Sequence, residues 1–423
     1  MPPCAGTQQP MGWTMFEVIS SCRACGTPNL VPILYLGETP LADALLKGEQ
    51  LLQAEEKYPL TVVFCTACSL MQILQTVSPE TLFCQDYPYY SSFSPALLAH
   101  SRENALRLIA SQKLNADSLV VELASNDGYM LRNFVEQGIP VLGIDPAEGP
   151  AKAAEQAGIP TLCTFFGQPL AQRLRNEGKQ ADVLIANNVL AHVPDLNGFV
   201  EGIRVLLKEE GVAVVEVPYV KNLIEHCEFD TIYHEHHCYF SVTALVALFQ
   251  RHGLSLYDVE HYPVHGGSLR LYIGVQKTMT ASVQAYLEDE AQRQLTHVSY
   301  YEDFARRVEG IKTALVDMLR GFKQAGKRLA AYGAAAKGST LLNYMGIDTR
   351  LIDFVVDRNV HKQGLYMPGV HIPIYVPEKL LVDMPDYVLL LSWNFQDEIL
   401  RQQDTYRRQG GKFIVPIPYP MVV

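Results

Sequence analysis

The sequence predicts an α/β protein in three parts: a small metal-bound lobe, a central doubly wound parallel sheet, and a second, smaller sheet of the same kind. Three observations carry this prediction. Two C-x-x-C pairs stand near the N-terminus, apolar runs alternate with helical stretches from about residue 95, and the alternation restarts near residue 327. Strand and helix in repeated succession are the pattern of a parallel sheet covered on both faces.

Composition sets the bounds. A chain of 423 residues has room for about two to four ordinary domains. It is 48% hydrophobic and 19% charged, and it contains no apolar run near the roughly 20 residues that span a bilayer. Its first residues lack the basic start and apolar core of a signal peptide, so a cytoplasmic protein that does not enter a membrane is expected. Residues 1–16 read as a flexible leader, with Met11 or Met15 as alternative starts. The net charge of −11 weighs against a nucleic-acid partner, which usually meets a basic face. Nine cysteines in such a chain point to metal or packing rather than to a disulfide framework.

The lobe, residues 17–86, rests on Cys22-Arg-Ala-Cys25 and Cys65-Thr-Ala-Cys68, 39 residues apart. Each pair fits a turn that presents two thiolates to one side, and two such turns complete a tetrahedral S4 site. With every position filled by sulfur, the zinc is structural. Gly26 follows the first pair, and the strand-like run Leu60–Phe64 precedes the second. Cys4, Cys84, Cys163, Cys227 and Cys238 have no partner spacing and read as packing residues.

The central region, residues 87–278, opens with the apolar run Leu119–Leu123, the turn Ala124-Ser-Asn126-Asp127-Gly128 and a helical stretch from Tyr129. A second strand ends at Asp145-Pro146, and further strands cover 181–186 and 211–217. Ligands of such sheets lie at the carboxyl ends of the strands, near the reversal of strand order. Asp145, 23 residues after Glu122, stands where a ribose diol is commonly held. The fingerprint G-x-G-x-x-G is absent. The turn instead resembles the S-adenosylmethionine loop of class I methyltransferases, with Ala124 and Asn126 at positions often held by glycine. Asn187-Asn188, followed by Leu190-Ala-His192-Val-Pro194, matches the polar residues that this class places after its fourth strand. The cofactor set is therefore Glu122, Ala124, Asn126, Asp127, Gly128, Asp145, Pro146, Asn187 and Asn188.

Asp230-Thr-Ile-Tyr233-His234-Glu235-His236-His237-Cys238 concentrates proton-transfer groups and metal donors in nine residues. Histidine serves both chemistries. Adjacent residues rarely converge on one ion, and H-E-x-x-H is missing, so a proton-transfer site is favoured over packed histidines or a second zinc site. Past His265-Gly266-Gly267 and Arg270, a charged, helically periodic stretch connects to a third region. Residues 279–423 read as this connector and a smaller Rossmann-like unit, with strands at 327–332, 351–357 and 387–394. Its first turn, Gly333-Ala-Ala-Ala-Lys337-Gly338, opens a helix and is not a Walker A motif. A small-residue turn carrying a lysine suits a diphosphate, with a plain structural turn as the alternative.

In this order the pieces C-R-A-C-G, F-C-T-A-C, Y-P-Y-Y-S-S, E-L-A-S-N-D-G-Y-M-L, N-N-V-L-A-H-V-P, F-D-T-I-Y-H-E-H, P-V-H-G-G and Y-G-A-A-A-K resemble the nucleotide-sugar C-methyltransferases of branched deoxysugar formation, which include the C-3 enzyme of tetronitrose formation. The resemblance implies S-adenosylmethionine as methyl donor and a nucleotide-linked keto-sugar, commonly dTDP-4-keto-6-deoxy, lying between the central and C-terminal domains. It implies His236 as the base that makes an enolate, with Tyr233, Glu235, Tyr89 and His192 around it. His265, Arg270, Lys337, Trp393 and Asn394 are the corresponding substrate contacts, and a monomer or weak oligomer is expected. Two departures, Ala124 for glycine and the polar pair His237-Cys238, bear on sugar preference. O- or N-methylation, NAD-dependent oxidoreduction and a non-enzymatic zinc scaffold are the competing readings; the last leaves the histidine cluster without a use.

Overall fold

A computed structural model describes residues 16–83, 90–93, 95–263 and 266–423. The expected site residues Tyr89 and His265 lie outside the described residues, as do Cys4 and Cys84.

The N-terminal lobe contains β1 (Glu17–Val18), β2 (Leu30–Thr39), β3 (Tyr58–Cys65), β4 (Met71–Ile73) and β5 (Gln75–Thr76). β1 pairs only with β5, while β2, β3 and β4 form an antiparallel sheet. β3 buries most of its residues, because both of its faces are covered. This explains why its apolar run is nearly continuous rather than alternating.

Eight strands follow in the central region: β6 (Val120–Leu123), β7 (Val141–Asp145), β8 (Thr161–Cys163), β9 (Ala181–Asn187), β10 (Leu207–Pro218), β11 (Cys238–Tyr239), β12 (Leu254–Tyr262) and β13 (Ser268–Val275). All but β11 form one sheet, ordered β12-β13-β10-β9-β6-β7-β8. β6 to β10 run parallel, and β13 is antiparallel to both of its neighbours. Sandwiching by helices suits runs such as Val183–Ala186, every residue of which is fully buried. The strand order reverses between β6 and β9, which places the ligand crevice at their carboxyl ends.

β11 leaves that sheet. It pairs with β4, Cys238 opposite Gln72 and Tyr239 opposite Met71, and so becomes the fourth strand of the zinc lobe's sheet. The histidine segment is thereby built into two domains at once.

The last unit contains β14 (Leu329–Tyr332), β15 (Val355–Val356), β16 (Ile374–Tyr375), β17 (Tyr387–Leu390), β18 (Lys412–Val415) and β19 (Met421–Val422), ordered β16-β15-β14-β17-β18-β19. The strand expected over 351–357 is short, because Leu351 and Ile352 are spent on the turn after the preceding helix. The connector is two helices, Ala281–Gln292 and Val298–Gln324. The longer one buries Tyr301, Phe304, Val308, Ile311, Leu315 and Leu319, the spacing of one helical face. That face shares a single core with Leu36, Leu60 and Phe64 of the zinc lobe and with Leu329 and Ala331 of β14. Each fully buried aromatic of this kind contributes on the order of 2–3 kcal/mol. Among the described residues no helix is long and apolar enough to cross a membrane.

Candidate active site

The four lobe cysteines converge. Their sulfurs lie within 4.8 Å of one another, with Cys22 to Cys68 at 3.6 Å and Cys25 to Cys65 at 3.5 Å. A tetrahedral ion with Zn–S bonds of about 2.3 Å requires sulfur separations of about 3.8 Å. The set fits a closed structural zinc. Gly26, at φ +72°, completes the first knuckle.

The turn after β6 is held by backbone bonds to an acid. Asp145, at the end of β7, accepts from the Asn126 N–H and the Ala147 N–H, both at 2.8 Å. Burial pushes its carboxyl up to about 6. Ala124 and Asn126 adopt φ +54° and +51°, the left-handed region that favours glycine. Their places in the glycine pattern are thus real backbone requirements. The side chains of Asn126 and Asp127 accept from the N–H groups of Ser91 and Ser92, at 2.9 and 3.2 Å, which brings these two serines onto the turn. At Gly128 an added Cβ would lie 2.2 Å from the Ile159 side chain. Glu122 is fully buried, and burial raises its pKa well above the ordinary value, helped by Asp145 and Asp127. Both of its oxygens lack a hydrogen-bond partner among the described residues, as do Asp127 Oδ1 and Asn187 Oδ1. Pro146 continues the turn and accepts from the Cys163 thiol. Asn188 sits at φ +53°, its N–H bonded to the Glu216 carbonyl. The turn therefore offers unsatisfied acceptors. Such acceptors suit the ammonium and ribose hydroxyl donors that S-adenosylmethionine carries.

The histidines separate into different environments. His236 Nδ1 lies 2.8 Å from the Thr231 carbonyl, which can only accept, so Nδ1 carries a proton and Nε2 is the basic nitrogen whenever the ring is neutral. The rings of Tyr233 and His192 flank it, with centroids at 4.1 and 4.7 Å. His192 is half-buried, and desolvation lowers its pKa to about 4, against a smaller upward pull from the Glu235 backbone. It is neutral near pH 7. His234 donates to the Pro59 carbonyl and packs on Tyr58, while His237 is fully buried beside Arg23 and is held neutral by burial. These two, with Cys238 in β11, are seam residues between strands. The Thr231 carbonyl, rather than the Glu235 carboxyl, accepts the hydrogen bond from His236 Nδ1. The carboxyl is buried, with Asp43 of the lobe and Lys362 of the C-terminal unit as its charged neighbours, and burial raises its pKa.

Arg270 corrects an expectation. It is 2% exposed, bonded through Nε to Glu216 at 2.6 Å, to the Tyr262 hydroxyl at 2.9 Å and to His100 at 2.9 Å. Burial would raise the Glu216 pKa, but His100 and Arg270 outweigh it and hold the carboxylate ionised. This guanidinium ties β13 to β10 and to the helix Pro95–Gln112, and its partners among the described residues all lie within the protein.

Lys337, Trp393 and Asn394 do come together, across the seam to the central region. Lys337 Nζ donates to Asn394 Oδ1 at 2.8 Å and lies 4.4 Å over the Trp393 ring, whose N–H donates to Asp230 at 2.7 Å. Burial pushes Asp230 up to about 6 and Glu228 up to about 8, with Lys337 opposing both shifts. An open cleft of about 530 Å³ borders Trp393, Asn394 and Arg401. Glu228 carried no signal in the sequence, while Thr231 and Ser91-Ser92 were marked only as parts of the F-D-T-I-Y-H-E-H and Y-P-Y-Y-S-S pieces, without a role.

Three family descriptions match the chain: a zinc binding domain over residues 22–83, a methyltransferase domain over 95–259 and a C-methyltransferase C-terminal domain over 263–418. The C-methyltransferase NovU of Streptomyces niveus is 36% identical over 408 residues, 96% of this chain and 97% of that protein. This chain belongs to the C-methyltransferase family. Its zinc site and its S-adenosylmethionine-type central domain are those of the family. A ubiquinone biosynthesis O-methyltransferase of Bartonella tribocorum is 26% identical over 128 residues, 29% of this chain and 52% of that one. Among solved structures, magnesium protoporphyrin IX methyltransferase of Synechocystis PCC 6803 covers 42% of this chain and 79% of its own, at 14% identity and a TM-score of 0.33.

Proposed function

We propose that this protein methylates a carbon beside the C-4 ketone of a nucleotide-linked 4-keto-6-deoxysugar, commonly a dTDP-sugar and at C-3, with S-adenosylmethionine as donor and His236 as base. One observation carries the proposal. The Thr231 carbonyl accepts from His236 Nδ1 at 2.8 Å, which makes Nε2 the basic nitrogen of the neutral ring, and the Tyr233 and His192 rings flank that imidazole.

A hydrogen on a carbon next to a ketone is acidic because the resulting charge moves to oxygen. His236 Nε2 takes that proton, and positioned base assistance of this kind contributes about 10²- to 10⁴-fold. Tyr233 and Tyr89 are the donors assigned to the enolate oxygen. His192, neutral and with its one N–H turned to the Glu235 backbone, lines the site beside His236 without adding a charge. S-adenosylmethionine supplies the electrophilic methyl group. Glu122, Asp127, Asn187 and the turn closed by Asp145 hold its polar groups. Lys337, Asn394 and the N-terminus of the helix Ala336–Met345 are assigned to the diphosphate, at the same seam. Reduced thiols in the zinc lobe suit a cytoplasmic setting.

The test follows proton wash-out from dTDP-4-keto-6-deoxyglucose in deuterium oxide, by NMR, in the presence of S-adenosylhomocysteine. The proposal predicts exchange at one carbon flanking the ketone, lost in His236→Asn. An O- or N-methyltransferase has no need of this exchange, so an active enzyme without it overturns the proposal.

A further inference from the structure

Gln72 links the zinc site to the strand that follows His236. Gln72 is fully buried on β4. Its side-chain N–H donates to Cys22 Sγ at 3.1 Å, and its side-chain oxygen accepts from the Arg23 N–H at 3.0 Å. Both ends of the amide are therefore used by the first metal knuckle, and they fit only one way round, donor to thiolate and acceptor to N–H. Its backbone lies opposite Cys238, two residues after His236, and the next ladder bond runs from the Ile73 N–H to the His237 carbonyl at 3.0 Å. On its other flank the segment is held by the His237 N–H, which donates to the Ala191 carbonyl beside His192 at 2.7 Å. The Arg23 side chain reinforces the same register, donating to the carbonyls of Ile73 and Gln75 and to the Thr76 hydroxyl.

We infer that Gln72 is a positioning residue for His236: it couples the zinc knuckle to β11 and so fixes where the imidazole stands against the sugar carbon. The inference rests on His236 being the base. A hydrogen bond to a thiolate is charge-assisted, so Gln72 follows the knuckle closely. Misplacement of a catalytic group by about 1 Å can cost about 10²-fold, and a fraction of that displacement is at stake here. Zinc is then more than a folding ion, because it sets the register of the strand after the base.

The experiment measures proton wash-out from dTDP-4-keto-6-deoxyglucose, its pH profile, KM for S-adenosylmethionine and zinc per chain in the native protein, Gln72→Met and His236→Asn. Methionine fills the glutamine's space without a donor or acceptor. Gln72→Met is expected to keep one zinc per chain and an unchanged KM, while wash-out slows by about tenfold with a displaced pH profile. Native wash-out and profile in Gln72→Met overturn the inference, as does a loss that tracks zinc loss alone. A second measurement needs no variant. Replacing zinc by the larger, equally thiophilic cadmium ion in the native chain shifts Cys22, and it is expected to slow wash-out at unchanged KM; a native rate with cadmium overturns the inference. Wash-out persisting in His236→Asn would instead overturn the assignment of the base, whatever Gln72 does.

Discussion

The turns after β6 and β14 share one backbone arrangement and differ in the side chains set around it. In the central domain the acid ending the second strand, Asp145, accepts from two turn N–H groups at 2.8 Å. In the C-terminal unit Asp357 does the same for Ala334 and Asn359, at 2.6 and 2.7 Å. Ser125 and Gly333 each donate to the carbonyl before that acid. The side chains then diverge. Glu122, one residue before the end of β6, corresponds by strand register to Ala331 in β14. The first turn is ringed by acceptors, whereas the second presents Lys337, the Asn394 amide and the Trp393 ring. The backbone scaffold is common to both; a few side chains decide whether it suits a sulfonium nucleoside or, as proposed, a diphosphate.

Titration calorimetry can break that comparison. Asp145→Asn removes the charge from two backbone bonds, each worth about 1.5–3 kcal/mol, and is expected to weaken S-adenosylhomocysteine binding by roughly 100-fold while leaving dTDP-sugar binding as it was. Loss of both would mean that the turns do not act separately. Lys337→Met should do the converse, weakening the dTDP-sugar by about 30-fold and sparing S-adenosylhomocysteine. A third, smaller effect concerns the acids facing Lys337. Glu228 is pushed up to about 8, so the folded chain holds a proton that the unfolded chain, titrating near pH 4.3, has already released. Its contribution to stability is therefore present at low pH and is lost as pH rises toward 8. Glu228→Gln stays neutral, and its Tm relative to the native protein should rise by about 2–5 °C between pH 5 and 8. A constant difference would contradict the shift.

Much of this was legible in the sequence, for a physical reason in each case. The C-x-x-C pairs announce their geometry locally, and Ala124 and Asn126 mark left-handed positions because they stand in a glycine pattern. Arg270 was misread because strand sequence does not tell a substrate-facing guanidinium from one opposite an acid on the neighbouring strand. The partner, Glu216, lies 54 residues away. The pairing of β11 with β4 was likewise hidden, since Gln72 and Cys238 meet only through the tertiary fold. Glu228 and Asp230 gain their meaning from burial against Lys337 rather than from spacing.

The central claim is that a carbon receives the methyl group. Incubating the protein with dTDP-4-keto-6-deoxyglucose and S-adenosylmethionine labelled with carbon-13 at the methyl tests it directly by NMR. The account predicts a new methyl signal correlated by one bond to a sugar carbon adjacent to C-4, and none in His236→Asn. A methyl signal bonded to oxygen, or one of native size in His236→Asn, would contradict it.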